Sequence, residues 1–297
     1  MLLYAHAQLR QQRKPVEHAQ YRWCKREMAA RQKATERTFE AGPWKISVRK
    51  SHILKSVCEG GEQGCGNEPC HVCRFQRELR ALPSLPEMVF PDSWLRLDHV
   101  SGCGLAFYAL DALRRVDTTQ DSLKVAAADD WRQSRGQSLA NMKGVVKPFD
   151  WTFTTDYSGN LLSLPHTSIQ VEETSEGIDY SQLKQQERIH FYDDVILYED
   201  ELADNGTAVL SVKIRVMASG FYILMRFFLR VDGVIVRLND TRIYHQAGTD
   251  FLTREICSKE ARIPDLKVPT SVLTDPDKLN NILPGNKTLL HRLILPK

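Results

Sequence analysis

The chain has 297 residues, 42% of them hydrophobic and 26% charged, the proportions of a globular protein long enough to bury one large core or two modest ones. Its formal net charge of +3 is unevenly spread: residues 1–40 carry nine basic and four acidic side chains, which leaves the rest at −2 and gives the body no bulk attraction to a polyanion. The longest uncharged apolar run, around Met217–Met225, is about nine residues, well short of the ~20 needed to span a bilayer, and seven cysteines, odd in number and mostly clustered, fit a reducing compartment better than a disulfide framework.

In chain order, Met1–Ala7 has no basic segment ahead of it and runs straight into Gln8 and Arg10. It reads as neither a signal peptide nor, with four glutamates and no serine before residue 41, a transit peptide. Residues 1–41 have no sustained period and are expected to be a basic arm outside the fold, disordered or transiently helical. The body, 42–297, starts at Gly42-Pro43-Trp44-Lys45 and carries a Gly- and Cys-rich insert at 58–73. From Ser84-Leu85-Pro86-Glu87 to about Ile263 strands dominate, with helices expected near Leu110–Val116 and Ala126–Arg135. The end is punctuated by Pro264, Pro269, Pro276, Pro284 and Pro296 and is expected to pack as short turns and helices. The fold class is α+β: predominantly antiparallel β-sheets with a few flanking helices in a single domain.

Ala208–His245 specifies the most. Asp232-Gly233 between two β-branched and aromatic runs predicts a two-residue hairpin. Pairing across it sets Val231, Leu229 and Phe227 opposite Val234, Val236 and Leu238 on one apolar face. A second turn at Ser219-Gly220 brings Val216, Ile214 and Val212 to the same face and sends Lys213 and Arg215 to the other. Val195–Tyr198, leading into Asp204-Asn205-Gly206, predicts a fourth strand. In this register Asp240 lands on the apolar face opposite Met225, where an unpaired carboxylate costs several kcal/mol. Two readings stay open: pairing ends at Asn239 and Asp240 caps a turn, or Asp240 is a polar group placed for binding at the edge of the apolar face.

Gly-x-Ser-x-Gly, His-Glu-x-x-His and glycine-rich nucleotide loops are absent. Cys103 reads as a buried structural thiol, and the adjacent Glu199, Asp200 and Glu201 alternate between faces, so no catalytic constellation emerges. Cys58, Cys65, Cys70 and Cys73 place four thiols within sixteen residues, among glycines 60, 61, 64 and 66, and are candidate ligands for a structural zinc; the competing reading is a loop of reduced thiols. Lys213, Arg215, Arg226, Arg230 and Arg237, with Tyr222 and Phe228 between them, form an expected basic sheet face. That face is open to an anion, an acidic peptide or single-stranded nucleic acid, or is an exposed surface whose long side chains cover aromatics.

Several longer segments occur together in order: Gly42-Pro43-Trp44-Lys45, 84–90 (SLPEMVF), 110–114 (LDALR), 147–157 (KPFDWTFTTDY), 198–202 (YEDEL), 210–217 (LSVKIRVM) and 226–242 (RFFLRVDGVIVRLNDTR). Over roughly residues 42–275 the chain strongly resembles the TIPRL family of TOR signalling pathway regulators. The resemblance implies a non-enzymatic protein of α+β fold that binds catalytic subunits of type 2A, 4 and 6 protein phosphatases. A cleft would receive the phosphatase's C-terminal tail and hold the enzyme latent. By position, the implied cleft residues are Asp111, Ile178, Leu238 and Asp240, which favours the binding reading of Asp240. Leu238 and Ile178 would contact apolar side chains of the tail, and Arg215, Arg226 or Arg237 would meet its acids. Residues 1–41 stand outside the resemblance, part of them a candidate for a misassigned start. The Cys insert has no counterpart recognised in the family, so no cofactor is carried over. The competing function is a zinc-stapled nucleic-acid-binding module using the arm and the basic face; a membrane partner is not expected, and the compartment expected is the cytoplasm, with the nucleus left open.

Overall fold

The computed structural model describes residues 34–60, 65, 69–82, 84–116 and 152–296; the helix expected at Ala126–Arg135, residues 1–33 of the arm and the start of the 147–157 motif lie outside them. Two antiparallel sheets make up the fold. One contains β1 (Thr35–Ala41), β2 (Trp44–Lys50), β4 (Trp94–His99), β5 (Cys103–Tyr108) and β6 (Asn160–Ser163), side by side in that order. The other runs β3 (Met88–Val89), β8 (Phe191–Asp200), β9 (Gly206–Met217), β10 (Gly220–Val231), β11 (Ile235–Gln246), β12 (Phe251–Arg262), β13 (Gly285–Ile294) and β7 (Gln170–Glu173). Among the described residues six short helices flank them: α1 (His71–Glu78), α2 (Ala109–Leu113), α3 (Tyr180–Leu183), α4 (Ile263–Leu266), α5 (Thr270–Leu273) and α6 (Pro276–Ile282). The α+β class and its antiparallel character are as the alternation of the sequence implies. No described helix is long and apolar enough to cross a membrane.

The body begins earlier than expected. β1 takes residues 35–41 of the expected arm into the sheet and pairs along its whole length with β2. The chain's end also differs. Prolines 264, 269 and 276 do open short helices, because proline fits the first helical turn, where its missing N–H has no partner to lose. Beyond them, residues 285–294 form a ten-residue strand, β13, paired with β12 and β7. The prolines punctuate 264–284 and leave 285–295 free of them.

One core joins the sheets. Period-2 alternation buries Trp44, Ile46 and Val48 of β2 and Leu95 and Leu97 of β4, whereas β5 is covered on both faces, with all six positions buried apart from the half-exposed Tyr108. These pack on the inner face of the large sheet: Leu210, Val212, Ile214 and Val216 of β9 and Phe221, Ile223, Met225 and Phe227 of β10. A second, smaller cluster lies on the outer face, where Phe228, Val236 and Leu238 meet Leu273, Leu279 and Leu283 of the C-terminal helical segment. Strand β10 is therefore covered on both faces over its second half, which explains its near-continuous apolar run.

The register of β9 and β10 keeps the expected faces, with Val212, Ile214 and Val216 opposite Met225, Ile223 and Phe221. The turn lies one residue earlier, at Ala218-Ser219, which shifts the pairing by two residues and so preserves parity. The β10–β11 register is one residue off the expectation. Val231 pairs with Ile235, Phe228 with Leu238, and Arg226 with Asp240. The loop is Asp232-Gly233-Val234 with Gly233 at φ +71°, a three-residue connection whose glycine takes the left-handed position. One residue of slip turns every side chain of β11 over: Val236, Leu238 and Asp240 face outward, while Arg237, Asn239 and Thr241 face inward.

The sheets meet at an aromatic cluster. Trp44 lies with its ring centroid 4.7 Å from His99, 5.4 Å from Phe221 and 5.5 Å from His245, and His245 stacks on Phe221 at 5.2 Å. Burial holds both imidazoles below their ordinary pKa of 6.5, so the fold favours the neutral rings. An unfolded chain then binds more protons than the native one in the interval between the folded and unfolded values. Stability should fall as pH drops through 6.5 and level off below the depressed folded values, each unit of depression at the buried His245 removing ~1.4 kcal/mol and the more exposed His99 contributing less. We expect the melting temperature to decline from pH 7 to pH 5 and the decline to be shallower in His245→Phe; identical slopes would show that these rings are not responsible.

Candidate functional site

Alternation places Arg215, Arg226, Leu238 and Asp240 on the outer face of the large sheet, whose centre is a buried charge network. Asp240, 2% exposed, accepts two hydrogen bonds from the guanidinium of Arg226, Nε to Oδ1 at 2.7 Å and Nη2 to Oδ2 at 2.8 Å, and one from Arg242 Nη2 at 2.8 Å. Arg226 also donates to Asp277 of α6 at 2.7 Å. Arg242 donates to Asn280 at 3.0 Å and to the Tyr180 hydroxyl at 3.3 Å. That hydroxyl in turn donates to Glu255 at 2.6 Å, and the other Glu255 oxygen accepts the Ile178 N–H at 2.7 Å. Burial works against the charge on Arg226 and Arg242, but hydrogen bonding and attraction from Asp240 outweigh it and hold both pKa values above the ordinary arginine value. Asp240 is thus neither a turn cap nor an unpaired carboxylate on an apolar face. It fastens β10 and β11 to α6 and, through Arg242, to the 178–180 segment. Leu238 and Ile178, expected as apolar cleft walls, are 1% and 6% exposed.

Beside this network the outer face is open. A groove of about 310 Å³ runs along β9 and β10 against α6, its floor made by Val209, Ser211, Leu224, Arg226 and Phe228 and its ends by Lys213 and Arg230. Next to it on β8, Tyr192 and Ile196 are 51% and 40% exposed on the same face, opposite Arg215 and Ser211. A sheet surface with exposed aromatic and aliphatic side chains and flanking cations suits a protein partner.

The expected basic face does not survive intact. Arg237 is on the opposite side, bonded to Thr154 at 2.9 Å and paired with Glu260. Arg215 donates to the Leu183 carbonyl at 3.3 Å. Arg226 is matched by Asp240 and Asp277, Arg230 by Asp232 at 2.7 Å and Lys213 by Asp194 at 3.4 Å. A row of matched charges is a poor polyanion track, because neutralised cations release few counterions from nucleic acid.

Asp111 lies apart from these residues. It sits on α2, held by Asn160 and Arg114 at 2.6 Å each, near Tyr157. Tyr157, Asp156 and Arg115 form the rim of a separate inner cleft of about 330 Å³, where Met225, Phe227, Asn239, Thr241 and Ser258 line the sheet side. Of the expected cleft residues, Asp240 also contributes to its lining; no sequence pattern pointed to the others. Its polar floor appears only once β11 is turned over.

A family model described as the TIP41-like family matches residues 88–267. The chain is 44% identical to the human TIP41-like protein over 265 residues, 89% of this chain and 92% of that protein. The chain belongs to the TIP41-like family. Among relatives of this TIP41-like chain, the Saccharomyces cerevisiae protein named type 2A phosphatase activator TIP41 is 35% identical over 237 residues, 75% of this chain and 62% of its own length. The Schizosaccharomyces pombe protein of the same description is 32% identical over 219 residues, 73% and 79% respectively.

The TIP41-like match begins after the cysteine insert. There the four thiols come together: all four sulfurs lie within 4.8 Å of one another. The Cys58 sulfur is 3.3 Å from that of Cys65, 3.4 Å from Cys73 and 3.9 Å from Cys70. The four are free thiols, and Cys103 is buried as expected. Backbone N–H groups of Cys73 and Glu59 pull the Cys70 thiol down to about 6, while hydrogen bonding to Cys58 and Cys70 pushes Cys73 up to about 12.

Proposed function

We propose that this chain is a non-enzymatic regulator that binds the catalytic subunits of type 2A, 4 and 6 Ser/Thr protein phosphatases, in the cytoplasm, and acts in TOR signalling. The partner class is supported by family membership together with the names of the two yeast relatives. The observation that carries the docking face is the open outer surface of β8–β10. There an exposed apolar strip and a groove with cations at both ends adjoin the network holding Ile178, Leu238, Asp240 and Arg226. An extended phosphatase tail would lay apolar side chains over Leu224 and Phe228 and its acidic groups toward Lys213 and Arg230, with Arg226 fixed in the floor. Of the three arginines expected to meet the tail, Arg226 lines the groove but is already paired with Asp240 and Asp277. Arg215 is outside the groove lining and Arg237 is on the other face.

The test is capture of a recombinant phosphatase 2A catalytic subunit by the full chain. Lys213→Glu with Arg230→Glu reverses charge at half-exposed positions, where each lost ion pair is worth about 1 kcal/mol or less. Capture should fall at least tenfold while the melting temperature holds. Unchanged capture would remove docking from this face. Ser258→Phe, which fills the inner cleft beside Asp111, should leave capture intact; loss there alone would move the tail to the inner cleft. Phosphatase turnover of a small phenyl phosphate with the chain in excess reads the sign: holding the enzyme latent lowers it, whereas the activation in the yeast relatives' names raises it. Single-strand binding that falls steeply with salt and survives deletion of residues 1–33 would favour the nucleic-acid reading instead.

A further inference from the structure

We propose that Cys58, Cys65, Cys70 and Cys73 bind one zinc ion as four thiolates, closing a structural site that clamps the 51–65 connection to the start of α1. A tetrahedron with zinc–sulfur bonds near 2.3 Å has sulfur–sulfur edges of about 3.8 Å. The observed separations of 3.3, 3.4 and 3.9 Å, with every pair inside 4.8 Å, bracket that value before any ion draws the sulfurs into place.

The ligands come from two backbone stretches joined at the thiols and by the Glu59 N–H to the Cys70 sulfur. Cys58 and Cys65 sit on the connection, and Cys70 and Cys73 occupy the N-cap and third position of α1. Residues 55–60 bury almost no side chain, so hydrophobic contact does not explain why two of the thiols seek the other two. Helix α1 is eight residues long and has no side-chain cap at its N-terminus, too short to persist alone. Yet Phe75 is 1% exposed in the main core, so the helix must be held in place. Metal binding supplies folding energy where a small segment cannot.

Among the described residues, the surroundings favour thiolates and turn the nearest alternative ligands elsewhere. The Gly60 N–H donates to the Cys58 sulfur at 3.4 Å, as backbone donors do around coordinated thiolates. His71, adjacent to Cys70, is turned to Asp92 at 3.1 Å, and Lys55 is paired with Glu59 at 2.7 Å. The donor set is therefore four soft sulfurs, which select zinc over magnesium, calcium or manganese. With four protein ligands the site has no open position for substrate, which makes it structural rather than catalytic. Binding expels the sulfur protons to solvent, with no change of oxidation state.

The test uses the full chain purified from cells supplied with zinc. After dialysis against a chelator, mercurial release and elemental analysis should find about one zinc per chain. The cobalt(II)-exchanged protein should show the strong visible bands of a tetrahedral tetrathiolate. Cys70→Ser with Cys73→Ser should lose the metal and melt at lower temperature. Wild-type chain without metal, whether its cluster cysteines titrate as free thiols or are locked in disulfides, overturns the proposal, as does equal zinc content in the double variant. The stoichiometry and the cobalt spectrum are read on wild type, so a double variant that fails to fold does not rescue or sink it.

Discussion

Asp240→Leu is expected to lower the melting temperature by about 6–20 °C. Two guanidiniums converge on this carboxylate, and Arg226 is only 8% exposed. Removing one partner of a buried pair costs about 3–5 kcal/mol because the other charge stays buried without compensation, and each kcal/mol shifts the midpoint of a domain this size by about 2–4 °C. Arg226→Met combined with Asp240→Leu replaces both main partners, while Arg242 keeps Asn280 and Tyr180. The double variant should therefore recover at least ~2 kcal/mol relative to the sum of the single changes, the coupling a double-mutant cycle isolates. A midpoint for Asp240→Leu within about 2 °C of wild type would show that the network contributes little. If the large loss is found, failure of Asp240→Leu to capture a phosphatase reports the fold, and the groove substitutions at Lys213 and Arg230 become the specific probe of docking.

Trp44→Ala should be comparably severe. Trp44 is 1% exposed and touches residues from both sheets, His99 on β4 and Phe221 and His245 on the large sheet. Truncating a fully buried tryptophan costs about 3–5 kcal/mol through lost transfer energy and the cavity left behind. Trp44→Phe isolates a second component. Among the described residues the indole N–H has no hydrogen-bond partner, and removing an unsatisfied buried donor relieves a penalty of about 1–3 kcal/mol while giving up part of the ring contact. Trp44→Phe should fall within about 1.5 kcal/mol of wild type in denaturant unfolding. A loss as large as that of alanine would mean that the indole's size, rather than its occupancy of the gap, sets the sheet separation.

How much of this was legible in the sequence depended on what each signal encodes. Side-chain alternation fixes which residues share a face along one strand, and β9 and β10 came out with the right faces even though their turn lies elsewhere, because a two-residue error preserves parity. Asp-Gly marks a hairpin but is compatible with loops of two or three residues. Choosing two turned β11 over, put Arg237 among the outer cations and set Asp240 against Met225 instead of Arg226. The oddity that drew attention to Asp240 came from that slip, yet the residue is central for the opposite reason: it is fully partnered. The thiol cluster was legible because cysteine spacing and glycines are local. The inner cleft was not, because it is assembled from β10–β12 and the 152–158 segment, and no local pattern brings those together. The β13 strand was missed because prolines upstream dominated the reading of a segment whose own last eleven positions before Pro296 contain none.

The large sheet is built from strands of ten to twelve residues, yet it ends in β3, two residues long, and β7, four residues long and exposed throughout. The small sheet ends in the four-residue β6 and in β1, which carries Glu36, Arg37 and Glu40. Long strands with bare edges would template their own stacking, and short or charged border strands are the usual safeguard. Among the described residues β3 pairs with β8 only at Tyr198 and Glu199 and β7 with β13 only at His291–Ile294, so each safeguard covers one end of the long strand it borders. Deleting β7 would bare β13 at His291–Ile294 as well, and the expected result is a chain that self-associates.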